Sequence, residues 1–352
     1  RTKMASVKIR NTVITGLALS SLVLTACSTD DAESTNADAT TSAESSAAES
    51  SSDATSGGAT ITIEDNHGTQ EVPKNSKAIA ATDNRSFEIL EKWGVDLVAA
   101  PKQLVPHTVD AYREDDSVAD LGMHREPDLE ALVAAQPDLI INGQRFQSHY
   151  DDIKKLNPDA ALVEFEPRDD EDFAEELRRH ALALGEVLGH EDDAQELVDE
   201  FDAAIERAKK AYDGESSVMA LNVSGGEIGY VAPSIGRVYG PIFDMLDLKP
   251  ALEVGDASQN HKGDDISVEA IADSNPDWMF VLDRDAAISA RLEPGYQAAK
   301  DVIEGSDALR NVVAVKDGQI VYAPEDTYTN ESIITYTEIL NDIADAFEAA
   351  KK

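Results

Sequence analysis

Three arginines, one histidine and one tyrosine are the residues whose types and positions in this chain best suit ligand binding. They are Arg145, Arg237, Arg284, His261 and Tyr328, and each lies in a predicted loop or just after a predicted strand. Guanidinium groups stay charged and match anionic oxygens, so three of them in one cleft favour an anionic, oxygen-rich ligand. Histidine and tyrosine can both bind iron, through a ring nitrogen and a phenolate. Taken singly, the arginines could instead form surface salt bridges, and the other two could be ordinary hydrogen-bonding loop residues.

No catalytic motif accompanies these residues. The chain lacks a nucleophile elbow, a phosphate loop, a dinucleotide fingerprint and a His-Glu-x-x-His zinc motif. Its seven histidines are scattered, so a transition-metal site built from several side chains has no support in the sequence. Its single cysteine, Cys27, excludes an internal disulfide and a cysteine-rich metal site. We therefore expect a binding protein without catalysis and without a permanently bound cofactor.

The elements that position two of the arginines occur twice. Residues 128–145 align without a gap to residues 267–284, at an offset of 139, and five of the 18 aligned positions are identical. Each copy predicts a helix with a polar N-cap, a proline that ends it, and a buried strand followed by the arginine. Solenoid repeats are ~20–50 residues long, so copies this far apart indicate two similar lobes. Ligands of open α/β sheets bind beyond the carboxyl ends of the strands, which places Arg145 and Arg284 across a cleft from each other.

The predicted fold class is α/β, with two similar lobes built on central, mainly parallel sheets and joined by a long connector helix. Between the two copies lies a charged helical pattern, and Glu191 to Tyr212 could form one helix of ~33 Å. The predicted boundaries are 59–185 for the N-terminal lobe, 186–213 for the connector helix and 214–352 for the C-terminal lobe.

The first 58 residues predict export and anchoring. Basic residues precede an apolar stretch from Val13 to Leu24, which is too short for a typical spanning helix. It ends in Leu24-Thr25-Ala26-Cys27, which resembles a bacterial lipobox whose cysteine is lipidated, with palmitate among the acyl chains; an ordinary signal peptide with a chance cysteine is the alternative. Residues 1–26 are thus a predicted lipoprotein signal peptide, with Met4 a possible start. Residues 27–58, rich in Ser, Ala and Asp, are a predicted disordered tether.

The charge of the chain argues against one class of partner. It has 30 Lys and Arg against 69 Asp and Glu, a formal net charge of −39, so we expect no nucleic-acid partner. Such acidity is usually a solvated surface. A local group of arginines can still hold an anion in an acidic protein, because salt screens charges beyond ~8–10 Å.

Taken together, the chain resembles the substrate-binding lipoproteins of bacterial ABC importers, which have a helical backbone between two lobes. It most resembles the ferric-siderophore branch, especially binders of catecholate siderophores such as petrobactin and enterobactin. The resemblance covers about residues 58 to 350. It is carried by four segments: Leu24-Thr25-Ala26-Cys27, Gln136-Pro137-Asp138-Leu139-Ile140-Ile141-Asn142-Gly143, Asn275-Pro276-Asp277-Trp278-Met279-Phe280-Val281-Leu282-Asp283-Arg284 and Ala323-Pro324-Glu325-Asp326-Thr327-Tyr328.

The resemblance implies a class III periplasmic-binding-protein fold and a role for each candidate residue. Arg145, Arg237 and Arg284 match the arginines that hold an anionic iron complex. His261 and Tyr328 match a pair that completes iron coordination when the siderophore leaves sites open. The chain departs from the family pattern at two positions, where Lys262 follows the histidine and Gln144 precedes the first arginine.

The resemblance also implies partners. Glu130 and Glu269, equivalent in the repeat, match the glutamates that dock the two lobes on the permease; the alternative is that they only complement their helix dipoles. The expected protein is a monomeric receptor, lipid-anchored through Cys27 on the extracytoplasmic side of the cell membrane. It would capture a ferric siderophore and deliver it to an ABC permease and its ATPase. A haem- or corrinoid-binding receptor of the same fold is the alternative.

Overall fold

A computed structural model describes residues 59–351; the predicted signal peptide, the lipidation site Cys27 and all of the predicted tether lie outside this range. The described chain begins with an antiparallel hairpin, β1 (Thr60–Asp65) and β2 (Gly68–Pro73), as the turn signal in the sequence predicts. Within the described residues, no helix is both long and apolar enough to cross a membrane.

The N-terminal lobe is organised around a five-stranded sheet with helices on both faces. After the hairpin its elements are β3 (Ile79–Ala81), α1 (Phe87–Lys92), β4 (Ala99–Ala100), α2 (Asp110–Arg113), β5 (Ala119–Asp120), β6 (Gly122–Met123), β7 (Glu126–Pro127), α3 (Leu129–Ala134), β8 (Leu139–Asn142), a 3-10 helix (Gln144–His149), α4 (Tyr150–Leu156) and β9 (Ala161–Glu164). The strand order is β5-β4-β3-β8-β9, and all neighbours are parallel. The buried apolar strands suit a sheet covered on both faces.

Two helices connect the lobes. They are α5 (Phe173–Leu188) and α6 (Glu191–Ala211), separated by Gly189 in the left-handed conformation at φ 73°. The 21-residue α6 is the predicted long connector, one residue shorter than expected at its end. An ion pair of 2.6 Å between Arg178 and Asp202 joins the two helices. The connector therefore packs as part of a helical layer.

The C-terminal lobe contains a six-stranded sheet and the closing helix. Its elements are β10 (Ser217–Ser224), β11 (Glu227–Val231), α7 (Gly240–Leu246), β12 (Lys249–Pro250), β13 (Asp264–Asp265), α8 (Val268–Ser274), β14 (Trp278–Asp283), two 3-10 helices (Asp285–Ala287 and Ser289–Leu292), α9 (Ala299–Glu304), α10 (Val313–Lys316), β15 (Ile320–Tyr322), α11 (Thr327–Asn330) and α12 (Ile333–Ala350). The order is β13-β11-β10-β14-β15, with β12 pairing the start of β10.

The second sheet is mixed, because β11 turns back antiparallel to β10 and β13 is antiparallel to β11. Gly225 and Gly226, both at positive φ, form the two-residue turn between β10 and β11. Such a turn matches the twist of a hairpin and places consecutive strands side by side in opposite directions. The strands β10, β14 and β15 remain parallel, and they form the part of the sheet that corresponds to the first lobe.

The sequence repeat is also a repeat of strand register. In the first lobe Ile79 pairs with Leu139, and in the second Val218 pairs with Trp278, so both partners shift by the same 139 positions. The residue before each repeated proline adopts a left-handed conformation, at φ 48° for Gln136 and 45° for Asn275. The lobes thus share geometry beyond the five identical residues.

Candidate functional site

Three arginines surround the ring of Tyr328. The guanidinium carbons of Arg237, Arg284 and Arg145 lie 4.4, 4.8 and 5.4 Å from its centroid. The ring is buried, and a cation over an aromatic face is attracted by the ring quadrupole. Arg145 also donates to the Tyr328 carbonyl at 3.2 Å, which links the two lobes directly. The structure therefore brings four of the five candidate ligand residues into one cluster.

Each of these side chains reaches the cluster from a strand end. Arg145 follows β8 in a 3-10 helix, Arg284 immediately follows β14, and Arg237 lies in the turn between β11 and α7. Tyr328 follows β15, but it lies in the one-turn helix α11 and not in the loop that the sequence predicted. Asp326 accepts the amide hydrogen bonds of Thr329 and Asn330 and so stabilises this turn. Arg145, Arg284 and Tyr328 sit beyond the carboxyl ends of parallel strands, where α/β sheets bind ligands, whereas Arg237 reaches the cluster from the turn after the antiparallel β11.

Buried carboxylates accompany the arginines. Glu331, with 3% of its side chain exposed, forms an ion pair with Arg237 and another, at 3.4 Å, with Arg85. Arg85 lies 3.4 Å from Glu166 as well. Arg284 pairs with Asp285 at 3.0 Å. Asp285 adjoins its arginine in the chain, whereas Glu166 and Glu331 lie far in sequence from the arginines that they contact, so the sequence pattern missed this balance.

A group of buried, hydrogen-bonded polar side chains around Asp83 lies next to Arg85. Asp83 accepts hydrogen bonds from Ser86 at 2.5 Å and from His180 of α5 at 2.8 Å, all in the buried interior. A Cβ on Gly143 would lie 2.7 Å from Asp83 Cγ, so only glycine fits where the chain leaves β8 towards Arg145. Burial would raise the pKa of Asp83, but the His180 and Ser86 hydrogen bonds and the nearby cations lower it.

The charged groups of the cluster shift one another's pKa values. Burial would raise the pKa of Glu331, but Arg237, Arg85 and Arg145 lower it, so the carboxylate stays ionised. Burial would also raise the pKa of Tyr328, yet the Arg237 charge, a hydrogen bond with Arg284 and the Arg145 charge lower it. The pKa of Arg145 is lowered by burial and by Arg237. The phenol is thus biased towards the phenolate form, the form that binds iron.

His261 takes a peripheral position. It is exposed, in the loop before β13, and its carbonyl accepts a hydrogen bond of 3.0 Å from Asn222. Its pKa is lowered by burial of the ring and then by the charge of Arg284, so the neutral imidazole is favoured. Across residues 59–351, no group of three or more His, Cys, Asp or Glu side chains is arranged to hold a metal ion.

A cleft of about 670 Å³ opens beside the arginine cluster. Arg85, Arg145, Arg237 and Glu331 line it, together with residues 166–169 and 171–174 before and at the start of α5 and residues 234–238 of the second lobe. This volume lies in the ~300–1,000 Å³ range of small-molecule sites. The cleft can therefore hold a compact anionic ligand between the lobes.

Direct hydrogen bonds also join the two lobes near the segment that carries Tyr328. The Asn84 side chain donates to the Thr329 carbonyl at 2.6 Å, and Glu88 accepts from Asn330 at 2.7 Å and from Ser332 at 3.1 Å. The segment between α11 and α12 is thus anchored on the N-terminal lobe.

The two glutamates of the repeat lie away from this cleft cluster. Glu130 and Glu269 are exposed, each in the first turn of its helix, α3 or α8. The N-caps of those helices are also equivalent, since Asp128 accepts from the Ala131 amide at 2.8 Å and Ser267 from the Ala270 amide at 3.1 Å. Both side chains are accessible to a partner.

Sequence reasoning did not find Arg85, Glu166 or Glu331. Arg85 and Glu166 had a usable signal, because each lies in the loop that follows a strand, β3 or β9, of the predicted parallel sheet. Glu331 had none, since it lies between two helices at φ 49°, a conformation uncommon for a non-glycine residue.

Comparison with known proteins agrees with this architecture. The family model described as periplasmic binding protein matches residues 79–327. The petrobactin-binding protein YclQ of Bacillus subtilis is 30% identical over 289 residues, which cover 81% of this chain and 86% of that protein. The ferric-anguibactin-binding protein FatB of Vibrio anguillarum is 28% identical over 302 residues, covering 82% and 88%. The crystal structure of YclQ matches with a TM-score of 0.70 at 28% identity, covering 82% of this chain and 99% of that one.

Proposed function

This chain belongs to the periplasmic binding protein family, and we propose that it is the receptor of an ABC importer that captures a ferric siderophore, of the anionic catecholate type, in the cleft between its lobes. The relatives named for petrobactin and ferric anguibactin support an iron-complex ligand. The proposed protein performs no catalysis, holds no permanent cofactor and acts as a monomer. The ferric siderophore is its cargo.

The arrangement of Arg145, Arg237 and Arg284 around Tyr328 is the observation that supports this proposal most. Guanidinium groups from both lobes converge on one point, which suits an anion held between the lobes. Three arginines exceed what the two propionates of haem need. The same residues therefore favour a ferric catecholate over haem or a corrinoid.

Iron ligation by the protein is a second part of the proposal. The lowered pKa of Tyr328 favours a phenolate, and that of His261 favours a neutral imidazole. Both are the metal-binding forms of these side chains. They would complete the coordination of iron only for a siderophore that leaves sites open.

Delivery involves the outer surfaces of the lobes. We assign permease docking to Glu130 and Glu269, whose exposure and equivalent positions support two matching contacts. The partners would be an ABC permease and its ATPase. Lipidation at Cys27, which the sequence motif supports, would hold the receptor on the extracytoplasmic face of the cell membrane.

The test is a ligand titration followed by quenching of the fluorescence of Trp93, Trp278 and the tyrosines. Ferric catecholates, ferric hydroxamates, haem and cobalamin are added in turn to the chain from residue 59 onward. We expect sub-micromolar binding of ferric catecholates, and Arg284→Ala should weaken it by about 10- to 150-fold, the loss of one charged hydrogen-bonding group of ~1.5–3 kcal/mol.

The matched control is Arg310→Ala, which removes an exposed arginine paired only with Asp307, at 3.6 Å. It should leave every affinity unchanged. Tight binding of haem with no response to catecholates would reject the siderophore proposal and favour the haem receptor.

A further inference from the structure

The arginine cluster is largely neutralised by carboxylates of its own chain. Four arginines meet there, and the carboxylates that contact them are Glu166, Glu331 and Asp285. In the described residues, Arg145 is the arginine of this group whose hydrogen bonds go to neutral groups, the Gln144 side chain at 2.8 Å and the Tyr328 carbonyl at 3.2 Å. With all three carboxylates ionised, the surplus is one positive charge, far below what the four arginines alone suggest.

Glu331 is the central carboxylate of the group. It contacts Arg237 of one lobe and Arg85 of the other, lines the cleft, and is almost fully buried. Its neighbours lower its pKa, so it carries its charge at neutral pH. A buried charge at the cleft wall is poorly screened by salt, so it acts on a ligand in the cleft as a fixed negative charge.

We propose that Glu331 is a specificity-determining residue: its buried carboxylate limits the negative charge of the ferric complex that the cleft accepts, disfavouring trianionic complexes relative to monoanionic and neutral ones. This inference rests on the proposed receptor function and names the charge class of its ligand. Glu331 holds the arginines in place and at the same time cancels part of their attraction. The repulsion between Glu331 and the ligand grows with each unit of negative charge on the ligand. The effect of losing a purely structural contact does not depend on that charge.

The experiment compares ferric complexes of stepwise charge on the full chain. The probes are a trianionic hexadentate tris-catecholate, a monoanionic tetradentate bis-catecholate and a neutral trihydroxamate. In Glu331→Gln, which keeps the shape and removes the charge, affinity for the trianion relative to the neutral complex should rise on the order of 100-fold. This corresponds to on the order of 5-fold per unit of charge at ~10 Å and an effective dielectric constant of about 40. The monoanion should shift by an intermediate amount.

Two matched variants separate charge from structure. Glu331→Asp keeps the charge and should retain the wild-type order of affinities. Glu164→Gln removes a carboxylate that is similarly buried, with 4% of its side chain exposed, but that contacts Asn142 at 2.7 Å and His67 at 3.2 Å, and it should leave the affinity ratios unchanged. If Glu331→Gln does not fold, Glu166→Gln takes its place. The change in relative affinity for the trianion in Glu166→Gln should have the same sign and be smaller, because burial raises the pKa of Glu166.

Equal changes for all three complexes in the glutamine variant would show that Glu331 only positions the arginines, and this would overturn the inference while the receptor function stands. Failure of the wild-type chain to bind any of the three complexes would reject both proposals.

Discussion

Single arginines in the cluster have different structural roles. Arg237 contacts the buried Glu331, whereas Arg145 donates only to an amide oxygen and a backbone carbonyl. Removing a partner from a buried carboxylate leaves its charge poorly compensated, and this costs far more than the loss of an exposed contact. Arg145, which has the weaker structural role of the two, is therefore the better suited to ligand binding.

This difference predicts unequal costs in stability. Arg237→Gln should lower the free energy of unfolding by ~1–3 kcal/mol, because Glu331 keeps only its longer contact with Arg85. Arg145→Gln should lower it by less than ~1 kcal/mol. Urea denaturation followed by circular dichroism measures both. A larger loss for Arg145→Gln would contradict the assignment.

Tyr328 predicts a distinct titration. Its pKa is lowered, whereas the pKa of every other tyrosine is raised, by burial in each case; these are Tyr112, Tyr150, Tyr212, Tyr230, Tyr239, Tyr296, Tyr322 and Tyr336. Tyr328 should thus ionise first as pH rises. In an ultraviolet titration of the folded chain, Tyr328→Phe should remove the first tyrosinate step. Tyr322→Phe is the control, and an unchanged first step in Tyr328→Phe would refute the prediction.

The sequence predicted most candidate residues from the strand patterns that precede them, but it missed Arg85 and Glu166, which also follow strands, and Glu331, which does not. Arg145, Arg284 and Tyr328 follow strands that the apolar runs indicate, so the general position of ligand sites in α/β sheets was enough to group them. Arg237 follows β11 by six residues, across a turn. Glu331 is itself a left-handed residue between two helices. Its contacts join positions that are 94 and 246 residues apart, and no local sequence pattern encodes such contacts.

At the level of elements, the repeated aspartates explain why the Pro-Asp pair occurs in both lobes. The Asp138 carboxylate accepts from the Lys77 amide at 2.7 Å and the Ala78 amide at 3.1 Å, just before β3. The Asp277 carboxylate accepts from the Ser217 amide at 2.7 Å, at the start of β10. Each carboxylate fixes the strand that pairs with its own, so the motif sets register in both sheets.

Asp138→Asn and Asp277→Asn should therefore each destabilise the fold by ~1–2 kcal/mol, because a charged acceptor of backbone N–H groups is lost. Ligand affinity should not change, since both sites lie at the opposite ends of the strands from the cleft. Urea denaturation measures the first effect and ligand titration the second. Asp159→Asn, at an exposed position of the same lobe, is the control and should be neutral. Equal stability of all three variants would exclude the proposed role.

In the folded part of the molecule, four carboxylates lie near one another at α12, with a consequence for stability. Glu338 of α12 has a pKa raised to about 7, by partial burial and by Glu88, Asp326 and Asp342. A raised carboxyl pKa means that the folded state binds more protons than the unfolded state between pH values of about 4.5 and 7. Stability is therefore lost as pH rises through this window.

Glu338→Gln should raise the melting temperature at about pH 8 and leave it nearly unchanged at about pH 4, where the glutamate is protonated in both states. Differential scanning calorimetry at the two pH values measures the change. Glu191→Gln, at an exposed position in the first turn of α6, is the control. A gain of equal size at both pH values would show that charge repulsion is not the cause.

The constant offset of 139 positions has a consequence for how this molecule meets a partner. Strand register, helix caps and the exposed Glu130 and Glu269 all repeat, so each lobe presents an equivalent helix start with one exposed glutamate. If a partner recognises only these repeated features, at two equivalent points of its own, the receptor can dock in either of two orientations with nearly equal energy. This orientational degeneracy doubles the number of productive encounters, a statistical advantage of about 0.4 kcal/mol.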